Sequence, residues 1–290
     1  FIDPFAAASN VLRLATRGLK TVSLELVPRT TKAQPMDALS SQANLAGYAA
    51  VMTGAGLIPK ALPMMSTAAG TIRPARVLVV GTGVAGLQAI ATAQRLGARV
   101  TAYDVRPAAK EQVESLGARF AKIELGETSE AAGGYAKSLT PEQLDRQRQQ
   151  LASLCAESDL IITTAQVFGR PAPVVVTTDI VDRMMPGSVI IDAAASTGGN
   201  VEPGLPGETI NHNGVTIVSD PHLPSRVSAD ASAVLGANFV ALISHIFDPE
   251  TLALRDDEPD DITNAVLLTS GGEIRDKRVA TAATAEKGAP

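Results

Sequence analysis

Between Val27 and Tyr48 the chain reads VPRTTKAQPMDALSSQANLAGY. Arg29, Gln34, Asp37, Ser40 and Ser41 crowd hydrogen-bonding groups into this stretch, with no His, no Cys and no second carboxylate beside them. A general acid–base pair or an activated nucleophile has no candidate here. The residue types suit holding and aiming another molecule. The plain alternative is helix capping, because Asp and Ser favour a first helical turn.

A second pattern lies in VLVVGTGVAGLQAIATAQRLGARVTAYD, residues 77–104. Gly81, Gly83 and Gly86 form G-x-G-x-x-G, with Thr82, Val84 and Ala85 between them. The motif follows an apolar run that reads as a strand, opens a helix, and is followed by Asp104 at the end of the next strand. That context makes it a dinucleotide fingerprint. Gly81 allows the tight turn, Gly83 lets the backbone approach a pyrophosphate at a helix N-terminus, and Gly86 lets helix and strand pack closely. Asp104 can accept hydrogen bonds from the ribose hydroxyls and repels a 2′-phosphate, so the expected cofactor is NAD(H) rather than NADP(H). Val105 and Arg106 continue that corner, and an Arg there is the residue type that accommodates a 2′-phosphate. The crevice should also take in the ends of later strands: TTAQVFGRPAP with Thr164 and Ala165, DAAASTGGN, and SDPHLPSR. Any of these loops also serves as a plain turn.

Positioning these groups takes a sheet. RVLVVG, RVTAYD, RFAKI, DLIITTA, SVIIDAA and VTIVS read as strands, and VAGLQAIATAQRLG and PAAKEQVESLG as helices. The βαβαβ order implies an α/β fold, a Rossmann-type doubly wound parallel sheet. Outside it, Pro4–Thr16 reads as a helix, Thr21–Val27 as a strand, and Gln34–Gly54 as one long helix starting near Pro35. Asp179–Met185 reads as a short helix and Arg226–Phe247 as a long one, while the charges of the acidic, then low-complexity tail read as solvated surface. The expected division is residues 1–38 with 231–290 as part of a second α/β domain, and 39–230 as the NAD(H)-binding domain. One helix and one strand before Val27 cannot bury a core of their own, so the N-terminal portion of that second domain is expected to be missing.

Composition narrows the function classes. The 290 residues are 45% hydrophobic, enough for a sizeable core, and the formal charge of −5 speaks against a general nucleic-acid binder. Cys155 is the single cysteine, reads as core, and points to a reducing compartment. His212, His222 and His245 are too scattered for a metal site. No apolar run reads as a bilayer span, since Val77–Ala93 is punctuated by glycines.

RTTKAQPMDALSSQANLAGY, MMSTAAGTIRPARVLVVGTGVAGLQAIATAQRLGA, YDVRPAAKEQVESLGA and GGYAK resemble the NAD(H)-binding component, domain I, of proton-translocating NAD(P) transhydrogenase, in the family that includes alanine dehydrogenase. The resemblance implies an oxidoreductase component that binds NADH and passes hydride to NADP(H) held on a partner domain III. A membrane domain II would carry protons. It implies a peripheral protein on the cytoplasmic side of the bacterial inner membrane, dimeric through this component. Arg29, Gln34, Asp37 and Ser40 would orient the nicotinamide. Tyr48 would lie on the helix near the site, and Tyr135 on a loop closing over the nucleotide. An alanine dehydrogenase-like enzyme and a non-catalytic NAD(H)-binding module are the alternatives. The chain departs from the family pattern in three crevice loops: Ser196 where a Glu is usual, Gln166–Phe168 where an apolar pair and a proline stand, and His222 where an Asn stands. These changes suggest a divergent member or altered nucleotide handling.

Overall fold

The computed structural model describes residues 2–123, 140–251, 253–255 and 260–287. Contacts divide the chain into two compact units, Phe1–Gln42 with Ser228–Pro290, and Ala43–Val227. The first opens with α1 (Ala8–Thr16), β1 (Thr21–Val22), 3-10 turns at Leu24–Leu26 and Gln34–Met36, and the start of α2 (Ala38–Leu57). From Ala43 the second unit takes over α2. It continues with β2 (Met65–Thr67), β3 (Gly70–Ile72), β4 (Arg76–Val80), α3 (Val84–Arg95), β5 (Arg99–Tyr103), α4 (Ala109–Ser115) and β6 (Arg119–Phe120). Then come α5 (Pro141–Ala156), β7 (Leu160–Thr163), α6 (Thr178–Val181), β8 (Val189–Asp192), β9 (Thr209–His212) and β10 (Val215–Val218). The chain returns to the first unit with α7 (Ser228–Ile246), α8 (Asp261–Val266), β11 (Leu267–Ser270), β12 (Glu273–Ile274) and α9 (Lys277–Lys287).

In the second unit seven strands form one sheet in the order β6-β5-β4-β7-β8-β10-β9. All neighbours are parallel except the β10–β9 edge pair. Alternate residues of each strand face opposite sides. Val77, Val79, Leu160, Ile162, Val189 and Ile191 join α2, α3 and α4 in one core. Leu78, Val80, Ile161 and Ile190 join α5 and α6 in the other. Burial on both faces explains why these strands read as unbroken apolar runs. Each such side chain contributes about 1.5–3 kcal/mol. The chain enters at β4, builds outward through β5 and β6, then crosses back to β7. The carboxyl ends of β4 and β7 therefore flank the switch point, where doubly wound sheets bind ligands.

In the first unit β1, β11 and β12 make a three-stranded antiparallel sheet. Ala8, Val11, Leu268, Val279 and Ala283 form a core with Leu26, and Leu24, Met36, Leu242, Ile246 and Ile262 form another.

Several expectations are corrected. The strand expected over Thr21–Val27 stops at Val22, because the Ser23 hydroxyl donates to Glu25 Oε2 at 2.7 Å and a 3-10 turn follows. Glu25 is in turn held by the Ile2 and Asp3 N–H groups at 2.8 Å. The single helix expected from Pro35 is broken at Asp37, whose ψ of 81° is not helical. Its carboxylate accepts the Ser40 N–H at 2.9 Å and caps α2 instead. The tail also contributes to a core, since Leu267 and Leu268 are buried in β11 and α9 packs on α1. Leu223–Ile246 is apolar and long enough to cross a membrane by length and composition, with mean hydropathy 1.5, against the expectation that no run is. Of α7, Ala231, Asn238, Leu242 and Ile246 are buried, but only 17% of that apolar window is, and Val240 and Ile243 are exposed.

The α2 helix can approach its neighbours only where it lacks side chains. A Cβ on Gly47 would lie 2.1 Å from the Ala85 carbonyl oxygen, whereas one on Gly56 meets nothing within 4 Å. Gly47→Ala is therefore expected to destabilise the protein by about 1–3 kcal/mol, as forced overpacking against backbone does. Gly56→Ala should instead stabilise it by up to about 1 kcal/mol through helix propensity. Urea unfolding of the two variants checks the difference in sign.

Candidate functional site

At the end of β4 the chain turns through Gly81, whose φ of +92° favours glycine. A Cβ on Gly86 would sit 1.9 Å from the Gly81 carbonyl oxygen, so the first turn of α3 lies directly on the turn that precedes it. Gly83 differs from both. Its φ is −71°, it is the N-cap of α3 with no side-chain cap, and a Cβ there meets nothing within 4 Å. Neither conformation nor packing calls for glycine at Gly83, and the open space lies before a helix N-terminus. The first intrahelical bond runs from Leu87 N–H to Gly83 C=O at 2.9 Å, so the amides of Val84, Ala85 and Gly86 precede the helical ladder. Such amides and the helix dipole favour an anion. The residues present thus fit a dinucleotide pyrophosphate.

Asp104, just past β5, is tied into the same turn. Its Oδ2 accepts the Thr82 N–H and hydroxyl, both at 2.8 Å. Arg106 grips both oxygens, with Nε 3.0 Å from Oδ1 and Nη2 2.9 Å from Oδ2, and its own N–H donates to Oδ1 at 2.9 Å. Burial alone would raise the Asp104 pKa. The Arg106 hydrogen bond and charge, with the Arg106 and Thr82 amides, outweigh it and hold the carboxyl below the usual range. Asp104 is thus an ionised staple between the glycine turn and the β5 corner. A ribose there must share its oxygens with Thr82 and Arg106.

Across the switch point, the Thr164 hydroxyl donates to the Gly81 carbonyl at 3.0 Å. Ala165 is held by Asn200, which the sequence reading did not single out. The Asn200 Nδ2 donates to Ala165 O and Pro173 O, both at 2.8 Å, and its Oδ1 accepts the Ala165 N–H at 2.9 Å. Asn200 is itself fixed by Asp192, whose Oδ2 accepts the Asn200 N–H at 2.7 Å while Thr163 donates to Oδ1 at 3.0 Å. Burial of Asp192 raises its pKa against the pull of those donors. The signal in the sequence was a carboxylate ending an all-apolar strand, followed by Gly198 and Gly199. A Cβ on Gly199 would stand 2.7 Å from Asp192 Oδ2.

The loops at Gln166, Ser196 and His222 carry local hydrogen bonds. Gln166 Nε2 donates to the Thr197 hydroxyl at 3.4 Å, beside Ser196. His222 is exposed and gives its backbone N–H to Asp220 at 2.8 Å, as a turn residue does. His212, at the end of β9, pairs with Asp182 at the end of α6 at 2.8 Å, and burial pushes the Cys155 thiol up to about 12. Among the described residues no group of His, Cys, Asp and Glu could hold a metal ion.

Arg29, Gln34, Asp37 and Ser40 belong to the first unit. Asp37 and Ser40 come together as a helix cap, with Ser40 Oγ donating to Asp37 Oδ2 at 2.6 Å, so the capping role named as the plain alternative is real. Gln34 is exposed on the 3-10 turn just before, between buried Ala33 and Met36, and Arg29 is exposed on the preceding loop. Tyr48 is in the second unit, half-exposed, next to the glycine at which α2 meets the first turn of α3. Tyr135 lies outside the described residues.

Comparison with known proteins fits this geometry. Residues 50–277 match the family model described as alanine dehydrogenase/PNT, C-terminal domain. The chain is 48% identical over 263 residues to the first portion of the NAD(P) transhydrogenase alpha subunit of Rhodospirillum rubrum, covering 90% of this chain and 68% of that protein. It is 44% identical over 276 residues to the corresponding protein from Rickettsia prowazekii, covering 94% and 70%. The crystal structure of transhydrogenase from Sinorhizobium meliloti superposes with a TM-score of 0.80 at 45% identity, over 94% of this chain and 73% of that one. The chain therefore belongs to the alanine dehydrogenase/PNT family, on the side of the NAD(P) transhydrogenase alpha subunits.

Proposed function

We propose that this chain holds NAD(H) at the β4–α3 turn and aims its nicotinamide at NADP bound on a partner domain, as the hydride-exchanging component of a proton-translocating transhydrogenase. The observation that carries the reading is Gly83, a glycine that neither the backbone nor the packing requires, with open space in front of the first turn of α3. Thr82, Val84 and Ala85 complete the phosphate cradle, and Asp104, Val105 and Arg106 receive the adenosine ribose. Thr164 and Ala165 wall the crevice opposite.

Arg29, Gln34, Asp37 and Ser40 orient the nicotinamide. The bound nicotinamides supply the redox chemistry themselves. What the chain must add is geometry and exclusion of water, because no oxygen-bound proton moves in the hydride step. This accounts for a stretch rich in hydrogen-bonding groups with no acid–base pair. Under this reading the NADP-binding domain, a membrane domain that carries protons and a second copy of this chain are the partners, at the cytoplasmic face of the bacterial inner membrane.

The test uses the full-length protein with its NADP-binding partner. Hydride exchange that needs the partner is the expected result. Turnover of pyruvate and ammonia without any partner would overturn the reading. Gly83→Ala should weaken NADH binding by about tenfold or more while lowering the unfolding midpoint only slightly, since the added Cβ meets nothing within 4 Å and the N-cap exchange costs about 1 kcal/mol. Titration of NADH fluorescence beside a thermal melt separates the two effects. Gln34→Asn should slow hydride exchange about ten- to hundredfold, as a misplaced reactant does, with NADH affinity nearly unchanged. Equal loss of rate and affinity would remove Gln34 from its orienting role.

A further inference from the structure

The α7 helix presents Ala231, Asn238 and His245 at intervals of seven residues, two helical turns apart, and so on one face. Each of the three holds a different point of the stretch that carries Gln34. The Ala231 carbonyl accepts Gln42 Nε2 at 3.1 Å. Asn238 Nδ2 donates to the Pro35 carbonyl at 2.8 Å. His245 Nε2 lies 2.8 Å from Asp260 Oδ2, which is also 3.0 Å from Lys32 Nζ, while Asp260 Oδ1 caps α8 through the Thr263 N–H at 2.9 Å. Residues 32, 35 and 42 are thereby laid along one rail, with Asn238 at its centre.

Asn238 is the informative member. It is 5% exposed on a helix whose other inward residues, Leu235 and Leu242, pack with Ala33, Met36 and Ala38. A leucine would suit that apolar setting. The amide instead reaches one backbone carbonyl, and among the described residues nothing donates to its buried Oδ1. The orientation is fixed by the partner, since a carbonyl oxygen can only accept, so the NH2 group must face Pro35. Pro35 follows Gln34 inside a three-residue 3-10 turn, closed by bonds from Met36 N–H to Ala33 O at 2.9 Å and Asp37 N–H to Gln34 O at 3.2 Å. Short turns of this type have weak internal bonding and depend on outside tethers. A buried polar group kept at an otherwise apolar position, aimed at the residue after Gln34, is spent on the placement of that turn.

We infer that Asn238 is the positioning residue for Gln34: it fixes the Gln34–Met36 turn through the Pro35 carbonyl, and with the Lys32–Asp260–His245 tether it sets where the exposed Gln34 side chain stands for hydride transfer. This rests on the proposed role of Gln34. The Lys32 side chain is 69% exposed, so its tether is the weaker of the two.

The test is Asn238→Leu, alone and combined with Gln34→Asn, in the full-length protein with its NADP-binding partner. The expected result is a fall in kcat for hydride exchange of about tenfold with the NADH dissociation constant within about twofold, because geometry and not binding is lost. On the Gln34→Asn background the same substitution should add less than about twofold, the signature of two residues acting through one placement. Amide exchange at Met36 and Asp37 should rise while that of β4 and β7 stays the same. If Asn238→Leu does not fold, Lys32→Met carries the same test, with a smaller fall in kcat and the same non-additivity. Losses that multiply across the two sites, a fall in affinity that matches the fall in rate, or an unchanged rate would overturn the inference. A Gln34→Asn variant that exchanges hydride at the normal rate would overturn the role of Gln34 and this inference with it. A slow Gln34→Asn beside a normal Asn238→Leu overturns this inference alone.

Discussion

The nucleotide crevice depends on how closely backbone can approach the first turn of α3. Gly86 brings that turn onto the Gly81 carbonyl, and Gly47 brings α2 onto the Ala85 carbonyl, at separations no Cβ tolerates. The Thr164 hydroxyl then locks Gly81 from β7, and Asp104 locks Thr82 from β5. Elements from both sides of the switch point thus hold one turn of helix with little side-chain volume between them. The side at Gly83 stays open. The close contacts at Gly81, Gly86 and Ala85 hold the amides of Val84, Ala85 and Gly86 preorganised to meet an anion.

The same economy explains the polar residues around the crevice. Asp104, Asp192 and Asn200 are all buried or nearly so, and they spend their hydrogen-bonding capacity on loop backbone, on Arg106 and on the Thr82 and Thr163 hydroxyls. An unpaired buried amide costs roughly 1–3 kcal/mol and a carboxylate more, so their pairing is what makes these loops single-valued. None of them is arranged as a proton donor facing an open pocket. On the proposed reading this is as it should be, since direct transfer between two nicotinamides asks for placement alone. Gln34 stands exposed on a short turn, and Asp37 and Ser40 also cap the helix that follows it.

Much of the fold was legible because its constraints are local. Short unbroken apolar runs, glycine at the ends of helices, and an acid after the second strand are each readable without reference to distant residues. Gly81 and Gly86 were readable for that reason. What escaped reading depends on pairing at long range. Asn200 means nothing until Ala165 and Pro173 lie beside it, and Asn238 looks like a stray polar residue in an apolar helix until Pro35 is placed. The β11–β12 hairpin did carry a signal, with VLLTS followed by Gly271 and Gly272, but the Ala- and Thr-rich residues after it masked the pattern. At Asp37 two rules competed: helical spacing favoured one long helix, and side-chain capping won.

The central claim is that the chain aims one nicotinamide at another, so that hydride crosses without passing through solvent or a protein group. The most direct measurement is isotope transfer. NADH deuterated at the transferring C4 position is supplied to the full-length protein with its NADP-binding partner and NADP⁺ in ordinary water, and the NADPH formed is analysed by mass. The account predicts that the deuterium is recovered at C4 of NADPH. NADPH formed without the label, with deuterium released to water, would contradict it.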